Sequence, residues 1–393
     1  MIYKAFIALI ITSTFISYPV YSEEQKISHK SIKEKNEHFT DEYIKLNKNK
    51  FRVEIPEVHE LANILVAISE VGQKDDNMVD PSTKYHSEVL KYFKKYKNHP
   101  IMSIVNKNIS KAGDLKSYMY YYGLKMSSCA YYFNSENKIV HNGIIKNMSF
   151  SESDDIVKNN LKLIQDFSDK SHFRDFYKSH LPYYNELIKT YKVLNPIDKM
   201  KDWLQKKFNF EYGNYYVIFS PLVGGAHATQ RYEDNGFNLT VMHICRSEYS
   251  EKYSKIMNEL LESRVVFTEI DHNFVNPVSN KKIDMVNKAF SNRKFWVNDE
   301  LGKDSTKIYS NPYMVFNEYM TWSLFSLYCY DNYSKIDTDE LIKKIENQMV
   351  SDRFFIKFKE FNQELIKEYN KNPNIDINKL YDYILLWAEK QNS

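Results

Sequence analysis

Residues 265–277 read VVFTEIDHNFVNP, and they carry the densest chemistry in the chain. Placed on a helix, Val266, Phe267, Ile270 and Phe274 share one side. Thr268, Glu269, His272 and Asn276 share the other, with Asp271 at its flank. A helix that buries one side and aims a histidine and two carboxylates from the other is suited to hold a metal ion. Pro277 is expected to end this helix at about Asn276.

The spacing invites comparison with H-E-x-x-H. In that pattern two histidines one turn apart bind zinc, and the glutamate acts as general base on the metal-bound water. Here the letters are T-E-x-x-H. Glu269 matches the base and His272 the second ligand, while Thr268 stands at the first ligand position. A neutral hydroxyl is a poor zinc ligand beside imidazole or carboxylate, and a catalytic zinc site keeps three protein ligands and one open position. A third ligand is available from a second helix. Asn311 and Pro312 form a helix start, and the sequence continues through Glu318 with Thr321, Trp322 and Phe325 on its face. A carboxylate among aromatics requires a metal, an arginine or a proton.

Other histidines and cysteines lie outside this set. His227 follows Gly224 and Gly225 in a loop, and His243 sits in a strand pattern; either is placed to replace the missing imidazole. A surface loop histidine and a buried core histidine are the plainer readings. His59-Glu60 resembles half a zinc motif, but its surroundings read as an ordinary amphipathic helix. Cys129, Cys245 and Cys329 allow one disulfide at most and otherwise read as buried thiols. The tyrosines at 118, 120, 121 and 122 read as core. Ser220 lacks a G-x-S-x-G elbow, so a serine hydrolase has no support.

The elements that must position these groups begin after an export signal. Lys4, the apolar run 5–15, and Val20 and Ser22 at the cleavage positions read as a signal peptide, residues 1–22, cut after Ser22. The run is shorter than the ~20 residues that span a bilayer. The expected location is therefore periplasmic or secreted, with no stable membrane insertion. Residues 23–50 form a polar, lysine-rich leader. Residues 51–212 form a helical half, and residues 213–393 a zincin-like half holding a small sheet, the two making one α+β domain. Strands are expected at 215–220 and 237–245, joined by a loop at 221–228. Helices are expected at 57–71, 82–96, 248–263, 264–276, 312–330, 338–369 (with a bend or break) and 376–390. The fold class is α+β, predominantly helical, with a small antiparallel or mixed sheet.

Composition agrees with a packed globular chain. Of 393 residues, 43% are hydrophobic and 15% aromatic, which supplies a large core. The 54 basic and 51 acidic residues nearly balance, and no arginine stripe appears, so no nucleic-acid partner is expected.

Three segments together resemble a bacterial family of exported proteins of unknown function. They are SPLVGGAH at 220–227, FTEIDHNFVNP at 267–277 and FNEYMTW at 316–322, and PEVHELANILVAIS at 56–69 adds to them. Members carry H-E-F-x-H-x-F-V-N-P and are regarded as gluzincin-like metallopeptidases. The resemblance implies a zincin-like fold, ligands at 268, 272 and 318, and a base at 269. It points to a zinc-dependent peptidase acting on a peptide or protein, with Thr268, Glu269, His272 and Glu318 in those roles. A peptide is then expected to align by strand addition on the 215–220 or 237–245 strand. The alternative is a catalytically inactive pseudopeptidase that serves as a peptide-, glycan- or protein-binding module in the cell envelope.

Overall fold

Alternating and apolar runs in the chain set six short strands among many helices. A computed structural model describes residues 36–149, 155–302, 304–307 and 309–391. The signal peptide and the leader as far as residue 35 lie outside the described residues. The architecture is α+β and predominantly helical, as expected. By internal contacts the described chain falls into two units, one comprising 36–188 and 213–246, the other 189–212 and 247–391. The sheet therefore groups with the N-terminal helices, whereas the sequence reading put it with the C-terminal half.

In the first unit a four-stranded mixed sheet runs in the order β1, β4, β6, β5. The strands are β1 (Phe51–Glu54), β4 (Asn214–Phe219), β5 (Ala228–Asp234) and β6 (Phe237–Ile244). β4 pairs parallel with both β1 and β6, and β5 pairs antiparallel with β6. A separate hairpin joins β2 (Tyr131–Phe133) and β3 (Ile139–His141). The expected strands at 215–220 and 237–245 exist, but both are interior. Each already has a neighbour on both sides, so neither can accept an added peptide strand. The leader is also more ordered than its composition suggested. Asp41–Asn47 is a helix capped by Thr40, and β1 follows it.

Two helices of this unit matter below. Glu57–Ala67 is buried on nearly every side, His59 and Glu60 included. Leu115–Ser127 starts at Asp114, whose carboxylate accepts from the Ser117 N–H, and ends in the tight turn Ser128–Ala130. Gly224 lets its loop approach the 76–77 backbone: a Cβ there would lie 1.9 Å from the Asp76 carbonyl oxygen.

In the second unit a single 27-residue helix, Lys255–Lys281, replaces the two helices expected at 248–263 and 264–276. Pro277 sits inside it and does not end it. The restriction that proline places on its predecessor is a preference, and packing overrides it here. Val266, Phe267, Ile270, Phe274 and Val275 are all buried, and the Tyr313 hydroxyl donates to the Asn276 carbonyl beside the proline, at 3.4 Å. Helix Pro312–Asn332 packs directly against it. The expected break in 338–369 is real. Helix Lys335–Asn347 passes into a π-helical turn, Gln348–Asp352, before helix Phe358–Lys371.

Candidate functional site

The two motif-bearing helices of the second unit do pack face to face. Phe267 contacts the rings of Phe325 and Tyr328 at centroid distances of 5.1 and 5.0 Å. The same packing buries Thr268, Glu269, His272 and Glu318. His272 is oriented from its own helix, its Nδ1 lying 3.3 Å from Asn276 Oδ1. Asn317 Nδ2 donates to that same oxygen at 3.2 Å, tying the neighbouring helix to it. Thr268 turns its hydroxyl back to the Val265 carbonyl at 3.1 Å, the ordinary habit of a mid-helix threonine.

Glu318 is held by a cation of the chain itself. Arg353 Nη2 lies 2.6 Å from Glu318 Oε1, and Trp322 Nε1 donates to the same oxygen at 2.9 Å. The guanidinium also donates to the Tyr309 hydroxyl at 2.6 Å and lies over the Trp322 ring at 4.9 Å. Burial depresses its pKa, but Tyr309, Glu318 and then Glu269 more than compensate and leave it raised. Glu269 and Glu318 therefore act on one positive centre. The π-helical turn delivers this arginine, and its successor Phe354 adopts φ 62, a costly left-handed conformation for a bulky residue. Arg264 covers Trp322 at 4.2 Å, and its pKa is drawn down to about 10 by burial and by the nearby Arg353.

These residues do not fit a zinc ion. Thr268 has its hydroxyl committed to backbone, and Glu318 has the guanidinium on its oxygen. Among the described residues, the only three of His, Cys, Asp and Glu found with donor atoms all within 4.8 Å of one another are His59, Cys129 and His243. That trio lies in the first unit. The sequence suggests a buried core histidine at 243, a buried thiol at 129 and an ordinary amphipathic helix around His59, and all three side chains are buried. No spacing in the sequence signals that the three meet.

Three elements assemble the trio. His59 comes from the buried helix, Cys129 from the turn after Leu115–Ser127, and His243 from interior strand β6. Cys129 Sγ lies 3.5 Å from His59 Nδ1 and 3.9 Å from His243 Nδ1. The last turn of the tyrosine-rich helix leaves the Lys125 carbonyl exposed to partners. It accepts from Ser128 Oγ at 2.6 Å and from His59 Nδ1 at 2.9 Å. Each imidazole keeps a buried Nε2 without a hydrogen-bond partner. Burial, and then the charge of Lys125, hold His59 down to about 3, and burial puts His243 well below its ordinary value. Both rings are neutral. Burial pushes the Cys129 thiol up to about 12 and Lys125 down to about 7. A buried, protonated thiol has no nucleophilic role.

Beside the trio, Glu60 has the Tyr85 hydroxyl 2.7 Å away, and Tyr85 meets the Tyr184 hydroxyl at 2.6 Å. Burial raises the Glu60 carboxyl to about 7. His227 Nε2 sits 3.6 Å from Cys245 Sγ. Cys129, Cys245 and Cys329 are all free thiols.

No family model matches the chain, and neither a curated protein nor a solved structure is found to resemble it. The gluzincin-like reading therefore rests on the motif residues alone. Among the described residues no helix is long and apolar enough to cross a membrane.

Proposed function

We propose that this chain is an exported, peptidase-like protein that binds a peptide or protein and does not hydrolyse it. The observation that carries this reading is the Arg353–Glu318 contact at 2.6 Å. In a gluzincin arrangement the downstream glutamate faces a dication. Here a guanidinium supplies the opposing charge, and its Tyr309 and Trp322 walls fix it in place. Thr268 supports the same reading, because it removes the first imidazole of the pattern. With one imidazole and a carboxylate already paired, Glu269 has no metal-bound water to deprotonate. Export rests on the signal-like residues 1–22, and the peptide or protein partner on the motif resemblance.

The test uses the mature chain immobilised and exposed to a mixed peptide pool with excess zinc. Retained peptides are expected to elute at their original lengths. Zinc-dependent cleavage products that vanish in a Glu269→Gln variant would overturn the proposal. So would a failure to retain any peptide or any partner protein from an envelope extract.

A further inference from the structure

The geometry points to a buried three-donor metal site at His59, Cys129 and His243, built for a soft monovalent cation, copper(I). It lies apart from the Glu269–His272–Glu318 residues in sequence and does not depend on the proposed function. Two imidazole nitrogens and a thiolate around one metal stand roughly 3.7 Å from nitrogen to sulfur, given bonds of about 2.0 and 2.3 Å. The sulfur here lies 3.5 and 3.9 Å from the nearer nitrogens of the two rings. One nitrogen from each ring and the sulfur all fall within 4.8 Å of one another, so small side-chain rotations close the site. On both rings it is Nδ1 that faces the sulfur, so Nδ1 is the coordinating atom and Nε2 lies outside the coordination set.

Charge selects the ion. His59 and His243 are fully buried and Cys129 nearly so, and the trio contains no carboxylate. Copper(I) bound to one thiolate is electrically neutral. Zinc(II) with the same donors would leave a net positive charge in a buried pocket whose donor set has no carboxylate to offset it. Soft thiolate and imidazole donors also favour copper(I). Binding breaks the Cys129 S–H bond, forms a copper–sulfur bond and releases one proton to solvent. Copper enters and remains as copper(I), so no electron moves. His59 Nδ1 also lies 2.9 Å from the Lys125 carbonyl, a contact that gives way when that nitrogen takes the metal and the ring proton moves to Nε2.

The experiment titrates the reduced, full mature chain anaerobically with copper(I) against a coloured copper(I) chelator. The expected result is one equivalent withdrawn from the chelator. His243→Asn and Cys129→Ser are each expected to weaken binding at least tenfold, while Cys245→Ser and His272→Ala leave it unchanged. X-ray absorption on the copper-loaded wild-type chain does not depend on variants folding. It should show one sulfur and two nitrogen neighbours. A chelator that keeps all its copper, or a copper environment with no sulfur, would refute the site. Tight binding of zinc with weaker binding of copper(I) would refute the choice of ion.

Discussion

At the scale of single residues, the chain is governed by how it treats buried charge. Glu318, at 2% side-chain exposure, demanded a counter-charge, and the sequence named the choices: a metal, an arginine or a proton. It could not name Arg353, which follows 35 residues later in a segment with no motif. Glu262 shows the same pressure without a full solution. Burial raises its carboxyl to about 7, although the Ser247 hydroxyl and Arg264 oppose the shift and Glu248 adds to it. The folded chain therefore binds this proton more tightly than the unfolded chain. Its contribution to stability is complete below the unfolded value of about 4.5 and is lost as pH rises through 7. Part of its surface touches solvent, so the loss should be about 2 kcal/mol. Glu262→Gln is expected to lessen the fall of the urea midpoint between pH 5 and pH 8, leaving the part that the buried Glu60 contributes. An unchanged slope in that variant would show that Glu262 is not the source.

Elements decide which of these residues meet. Helix Lys255–Lys281 was legible as an amphipathic segment from its apolar spacing, but its length was not, because Pro277 read as a stop. The proline is tolerated because the turn before it is held by packing, with Phe274 and Val275 buried, and this outweighs the one backbone hydrogen bond that proline cannot make. Strand β6 was legible as a strand from its apolar run, but its interior position was not, because its outer neighbour β5 comes from the polar stretch Ala228–Asp234. The His59–Cys129–His243 trio was invisible for a related reason. Its members are 70 and 114 residues apart along its two sulfur contacts, and each looks like core when read alone. The π-helical turn Gln348–Asp352 is the element that sets Arg353 on Glu318. Arg353→Met leaves that carboxylate buried without its cation and should cost roughly 3 kcal/mol in urea unfolding. Adding Glu318→Gln should recover most of the loss, since a neutral amide needs no cation. A loss below about 1 kcal/mol, the value of an exposed pair, would mean that the contact is incidental.

Across the whole molecule, fold class was the most readable property and site composition the least. Periodicity reports which face of a helix is buried, and composition reports that a core exists. Neither reports which buried side chains from distant segments share a pocket. The motif residues Thr268, Glu269, His272 and Glu318 were placed on two helices that do pack together, yet the charge that completes them came from outside the motif. The account stands on that charge being a guanidinium. The most direct measurement is zinc bound per mole by the mature chain after incubation with excess zinc, compared between wild type, His272→Ala and His243→Asn. The account predicts that His272→Ala leaves the zinc content unchanged, whatever the His243→Asn variant does. One equivalent of zinc that disappears in His272→Ala and persists in His243→Asn would contradict it.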